Sequence, residues 1–145
     1  MAHPGNALQA AIYTRLTGYS ALTTALGGSY VYDHVPQDTA APYVVIGDDT
    51  LTEDDTKTAN GWEATVTIHC WDYEAAGRKS VKTLMGHIFD ALHRGEGSIT
   101  VTGFTLVYIH REFEESYQET AEDGANDHYY HGVQRFRALI TETTL

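Results

Sequence analysis

The chain has a single cysteine, Cys70, among 145 residues. A lone thiol excludes an internal disulfide and leaves no room for a Cys₄ or Cys₂His₂ zinc site. Basic residues are scarce as well: nine Lys and Arg stand against 20 Asp and Glu, for a net charge of −11. Affinity for phosphates comes from clustered cations, so gripping nucleic acid is disfavoured. No stretch approaches the roughly 18 apolar residues of a membrane-spanning helix. MAHPGNALQAA has neither the basic start nor the apolar run of a signal peptide, and the expectation is a protein made and kept in a cytosolic compartment.

Motifs that carry chemistry are also missing. Gly27-Gly28 and Gly95-Glu96-Gly97 are not followed by the lysine or helix start of a phosphate-binding loop. There is no G-x-S-x-G elbow and no H-E-x-x-H zinc motif. What is present is 42% hydrophobic and 20% charged residues, without repeat or low-complexity linker. Such a composition suits one globular domain spanning residues 1–145.

The acid is concentrated. Asp48, Asp49, Glu53, Asp54 and Asp55 form one group, and Glu112, Glu114, Glu115, Glu119, Glu122, Asp123 and Asp127 another, together 12 of the 20 acidic residues. Around these groups the apolar pattern predicts the elements. Leu8, Ala11, Ile12 and Leu16 recur at helical spacing, with Gly5 or Asn6 as cap and Gly18 as stop. Ser20 caps a short second helix before Gly27 and Gly28. Tyr30 to Val35 reads as a brief strand, and Tyr43 to Gly47 as another, started by Pro42. Asp48 to Gly61, rich in Thr and ending in Asn60-Gly61, reads as a long acidic hairpin connection. A strand from Trp62 to Tyr73 precedes the main helix, with Val81, Leu84, Met85, Ile88 and Leu92 on one stripe and Arg78, Lys79 and Lys82 opposite. Ser98 to Glu112 is β-rich, Tyr117 to Asp127 turns at Gly124, and Tyr129 to Thr141 closes the domain. The fold class is α+β: a mostly antiparallel sheet of about four strands with helices packed on one face.

The stretch TIHCWDY sets a histidine, the cysteine and a carboxylate within four residues. Strand parity separates them. Trp62, Ala64, Val66, Ile68 and Cys70 share one face, while Glu63, Thr65, Thr67, His69 and Trp71 share the other. Cys70 is then a small buried hydrophobe, His69 a surface or interface side chain, and Asp72 a cap on the approach to the main helix. Among the eight histidines, His128 and His131 fall on opposite faces of a strand, and His87 and His93 are poorly aligned on a helix. No metal or cofactor is expected, and the paired acids read as solvated or interface surface. The ten tyrosines and two tryptophans supply rings with polar tips of the kind used in protein contacts, or else complete a small core.

Four segments in order resemble one family, the tail terminator or tail completion proteins of long-tailed bacteriophages and of phage-derived gene transfer agents. They are ALQAAIYTRL; VYDHVPQDTAAPYVVIG with its Pro36 and Pro42-Tyr43; ATVTIHCW leading into a helix that ends in ALH; and the closing YYHGVQRFRALI. The resemblance spans about Ala7 to Glu142. It implies a non-enzymatic α+β protein that assembles as a ring, generally a hexamer, on the head-proximal end of the tail tube. There it stops tube growth and joins the tail to a head-side stopper or connector, at the head-tail junction of a virion or phage-like particle. DNA passes through the ring without specific binding, and an acidic chain suits such a conduit.

The interface expectations rest on physical grounds alone. The hairpin, with Thr50, Glu53, Asp54, Asp55, Lys57 and Trp62, is the first candidate for reaching a neighbouring subunit or the tube. Arg78, Lys79, Lys82, Arg135 and Arg137 are candidate partners for acidic groups on a neighbour. Asp48, Asp49, Glu114, Glu115 and Glu119 are candidates to line the lumen. Two other readings are a neck adaptor or stopper of the same junction, and a small cytosolic enzyme that gathers His69, Asp72 and His110.

Overall fold

The computed structural model describes residues 2–73, 77–120 and 128–143. Helix α1 (Pro4–Thr17) begins with proline, whose missing N–H costs nothing in a first turn. Its cap is His3, not Gly5 or Asn6: the His3 Nδ1 accepts from the Asn6 N–H at 3.2 Å. Helix α2 (Ser20–Leu26) starts at the expected cap position itself, with Ser20 already helical and Tyr19 in the cap place. Gly27 ends it at φ 83°, a left-handed conformation suited to glycine.

Next come β1 (Val31–Tyr32), β2 (Tyr43–Glu53), β3 (Gly61–Tyr73), α3 (Gly77–Leu92), β4 (Phe104–Thr120) and β5 (His128–Glu142). They form one five-stranded sheet in the order β1-β2-β3-β5-β4, antiparallel except where β1 runs parallel to β2. The strand expected over Tyr30–Val35 shrinks to the two residues that pair with Val44 and Val45.

The acidic hairpin is shorter than its composition suggests. A bulge between Ile46 and Asp49 lets β2 continue through Asp48, Asp49 and Thr50 to Glu53. Cross-strand pairing carries these polar residues: the Thr50 hydroxyl meets that of Thr65 on β3. The connection is confined to residues 54–60 and bonds to itself, with Asp54 N–H to the Gly61 carbonyl at 2.8 Å and Gly61 N–H to Asp55 Oδ1 at 3.1 Å. Likewise β4 extends through the second acidic group, so Glu112, Glu114, Glu115 and Glu119 are strand residues. Glu122, Asp123, Asp127 and the expected Gly124 turn lie outside the described residues.

All three helices pack on one face of the sheet. That face carries Trp62, Ala64, Val66, Ile68 and Cys70 of β3 with Phe136, Ala138 and Ile140 of β5, all buried as their alternation requires. Val81, Leu84, Met85, Ile88 and Leu92 of α3 close over them. Helix and sheet meet tightly at Gly132, where a Cβ would stand 2.5 Å from the Met85 sulfur. Beside it, Gln134 donates its side-chain N–H to the Met85 carbonyl at 2.8 Å. Burial raises the Cys70 thiol pKa to about 12, so it is a core group without thiolate character. Asp72, also buried, accepts from its neighbour's N–H at Tyr73 and from the Ser80 hydroxyl. Through Ser80 it ties the end of β3 to the first turn of α3.

Candidate functional site

Among the described residues, no helix covers the other face of the sheet. Residues that pair directly across antiparallel strands point the same way, so one row of rings crosses all five strands. Tyr32 of β1 meets Tyr43 of β2 edge-on at 6.3 Å between ring centres. Tyr43 stacks on Trp71 of β3 at 5.2 Å, Trp71 on His131 of β5 at 4.2 Å, and His131 contacts Tyr117 of β4 at 4.9 Å. Tyr73 and Tyr129 form a second pair at 5.5 Å. Tyr73, Phe113 and Tyr117 remain 42%, 41% and 39% exposed.

A hydrogen-bonded chain runs through this row. His131 Nδ1 lies 2.8 Å from Glu119 Oε2 and 2.7 Å from the Tyr117 hydroxyl, and its Nε2 lies 2.8 Å from His69 Nδ1. An ionised Glu119 only accepts, which assigns the proton to His131 Nδ1 and makes His69 Nδ1 the donor to Nε2. Gly47, in the β2 bulge, gives the His69 ring its room: a Cβ there would stand 2.8 Å from the ring. Burial lowers the pKa of both histidines, and for His131 the neighbouring His69 lowers it further, against the opposing pull of Glu119. Both are thereby biased towards the neutral form.

This depression has a sign that can be measured. The unfolded chain takes up protons at these histidines below about pH 6.5, whereas the folded chain resists doing so. Stability should fall as pH drops from 7 towards 5. A His131→Gln variant, followed by urea unfolding at each pH, should show a shallower decline over that window than the unsubstituted chain.

The half of the face beyond His69 is ionic. A second bulge, between Arg111 and Phe113 of β4, sets Glu112 where it accepts from Arg135 and Arg137, each at 3.1 Å. Arg137 also reaches Glu63 on β3. Burial would raise the Glu112 pKa, but hydrogen bonds from Arg137 and Arg135 outweigh it and hold the carboxyl below the usual range. Arg135 and Arg137, expected to meet acids on a neighbour, are thus already engaged within the chain.

The other sequence candidates are dispersed. Trp62, expected at an interface, is only 5% exposed and packs edge-on against Phe104 at 5.6 Å. It is a core residue, because its parity in β3 is that of Ala64 and Val66. Glu53, Asp54, Asp55 and Lys57 are exposed on and beside the hairpin connection, while Thr50 lies on the uncovered face. Arg78 sits over the Tyr130 ring at 5.2 Å, and Lys79 and Lys82 are exposed on α3.

The five lumen candidates do not share a side. Glu115 and Glu119 lie on the uncovered face, and Asp48 lies near His69. Asp49 pairs with Val66 on the helix side, as does Glu114 with Gln134. His69, Asp72 and His110 are not assembled either: Asp72 faces the helices, and His110 stacks on Tyr108 in the ionic half at 5.1 Å. Among the described residues, no three His, Cys, Asp or Glu side chains are disposed to hold a metal.

His131 and Tyr117 escaped the sequence reading because their meeting depends on the β4–β5 register. Half of the signal was available, since His131 shares the parity of Arg135 and Arg137 in HYYHGVQRFRALI.

The broad, ring-studded sheet face is a surface suited to protein contact. The chain belongs to the tail completion protein gp17 family, whose model matches residues 10–141. It is similar to a chain in the virion of a native gene transfer agent particle, with a TM-score of 0.78 and 25% identity over 97% of this chain and 99% of that one. A second solved chain, 11% identical with a TM-score of 0.53 over 94% of this chain and 96% of its own length, shares the fold. No curated protein matches the chain in sequence. The protein is a structural component of a phage-like tail and not an enzyme.

Proposed function

We propose that this chain forms a closed ring, generally a hexamer, on the head-proximal end of the tail tube, where it ends tube elongation and offers its other side to a head-side connector. The observation that carries this reading is the uncovered aromatic face, which leaves Tyr73, Phe113 and Tyr117 in water in the isolated subunit. Membership of the tail completion family supports the position in the particle. In this reading the hairpin supplies the contact to the last tube ring, which the exposure of Asp54, Asp55 and Lys57 supports. DNA traverses the ring without sticking, because a subunit of charge −11 repels phosphate.

Native mass spectrometry with and without the tail tube protein tests the proposal. The expected result is a ring alone or a ring bound to tube ends, with shortened tubes in an elongation assay. A strict monomer that neither binds tube ends nor alters tube length overturns it.

A further inference from the structure

We propose that the ring closes by seating the first two turns of α3 of one copy, through Lys79 and Lys82, on the uncovered sheet face of the next copy beside Glu115, Tyr117 and Glu119. This rests on the ring reading above and names its subunit contact.

The uncovered face needs an occupant with particular chemistry. Around the ring row it bears Asp48, Glu115 and Glu119, while the arginines of the same face are neutralised by Glu112 and Glu63 at its far end. An acidic, aromatic surface favours a cation that pairs with the carboxylates and lies against the rings. Edge strand β4 adds a reason for cover. Its first half is shielded by α3's end, where Arg94 N–H bonds the Ile109 carbonyl at 2.7 Å and Arg111 N–H bonds His93 Nδ1 at 3.0 Å. Residues 113–119 have no such shield among the described residues, and long open edges in soluble proteins are normally protected.

The chain itself carries the matching cations. Of its nine basic residues, Arg111, Arg135 and Arg137 are ion-paired, Arg15 is bonded to the Ala91 carbonyl, and Lys57 and Arg94 stand singly on other segments. Arg78, Lys79 and Lys82 stand together at the start of α3, exposed and forming no ion pair with a described residue. A helix N-terminus carries partial positive charge and favours acids, yet this first turn has none. Arg78 and Lys79 in that turn repel the helix dipole within the isolated subunit, and carboxylates from outside relieve the repulsion. Pairing the sheet's own two open edges instead would set Asp48, Asp49 and Glu53 against Glu112, Glu114, Glu115 and Glu119. Like charges oppose that arrangement.

Lys82 and Glu115 line one cleft between α3 and β4 of a single subunit, whereas Lys79 stands apart from the face around Tyr117 and Glu119, so seating the basic turn on that face is a head-to-tail contact that propagates around a ring. The test is charge reversal read by native mass spectrometry and light scattering. Lys79→Glu with Lys82→Glu, and separately Glu115→Lys with Glu119→Lys, should each raise the concentration needed for half-assembly by about tenfold or more. Circular dichroism should show both variants folded. The fourfold variant, which swaps the signs of both patches, should re-form the ring.

If the unsubstituted chain forms rings and the reversals leave assembly unchanged, or if the fourfold variant stays dissociated, this contact is wrong while the ring reading survives. Rings that persist in Glu115→Lys/Glu119→Lys but no longer bind tube or connector protein assign the face to that other partner, and also overturn the contact. An unsubstituted chain that is monomeric with and without tube protein removes the ring reading itself.

Discussion

Replacing Gly132 with valine should unfold the domain well below the temperature at which the unsubstituted chain melts. A Cβ at this position would lie 2.5 Å from the Met85 sulfur, 2.9 Å from Met85 Cγ and 2.9 Å from the Cys70 sulfur. The Met85 side chain can swing aside, but Cys70 is fixed in β3 directly across the ladder from Gly132. Overpacking of this kind costs about 1–3 kcal/mol, and the second and third carbons of valine place the cost at or above the upper end. The loss should appear as a lowered urea midpoint. Gly86, on the exposed side of α3, has open space where its Cβ would go. Gly86→Ala should therefore gain about 0.5–1 kcal/mol, since alanine is the better helix former. The opposite signs at a tightly packed glycine and an exposed one separate steric closeness from backbone entropy.

Truncating Trp62 to alanine should cost about 3–5 kcal/mol of folding stability, the range for removing a large buried aromatic side chain. The residue is 5% exposed, lies between the sheet and the start of β4, and loses its edge-on contact with Phe104. Equilibrium denaturation of the monomer at low concentration measures this directly. Trp62→Phe should recover most of the difference. If truncation left stability intact and weakened only assembly, Trp62 would be a contact residue after all, and the packing of this corner as described would be incorrect.

Trp62 shows how the sequence was legible and where it was overruled. The alternation Trp62, Ala64, Val66, Ile68, Cys70 already put the indole on the core side, and its nearness to a turn signal pointed the other way. Periodicity won because β3 is a central strand, covered by helices on that face. The stripe of α3 was readable for the same reason: a buried face imposes its period on the residue types.

The strands that escaped are those whose residues are mostly wet. Asp48 to Glu53 and Glu112 to Thr120 look like loops by composition, but polar β-branched and charged side chains are compatible with open faces and sheet edges. His131 with Glu119 and Tyr117 could not have been assembled from one chain segment, because two strands and a bulge determine the register that brings them together. Arg135 and Arg137 lie on the side opposite the core, and their partners Glu112 and Glu63 come from two other strands. Spacing along the chain shows which way a side chain points, and pairing between strands decides what it meets.

The sealed sulfur of Cys70 has a practical outcome. With its thiol pKa near 12 and the group enclosed between β3 and α3, it cannot react with an alkylating reagent while the two layers stay together. Labelling of this one site therefore acts as a clock for the parting of helix from sheet. Any partner that clamps α3 in place, a neighbouring copy included, should slow that clock without touching the sulfur.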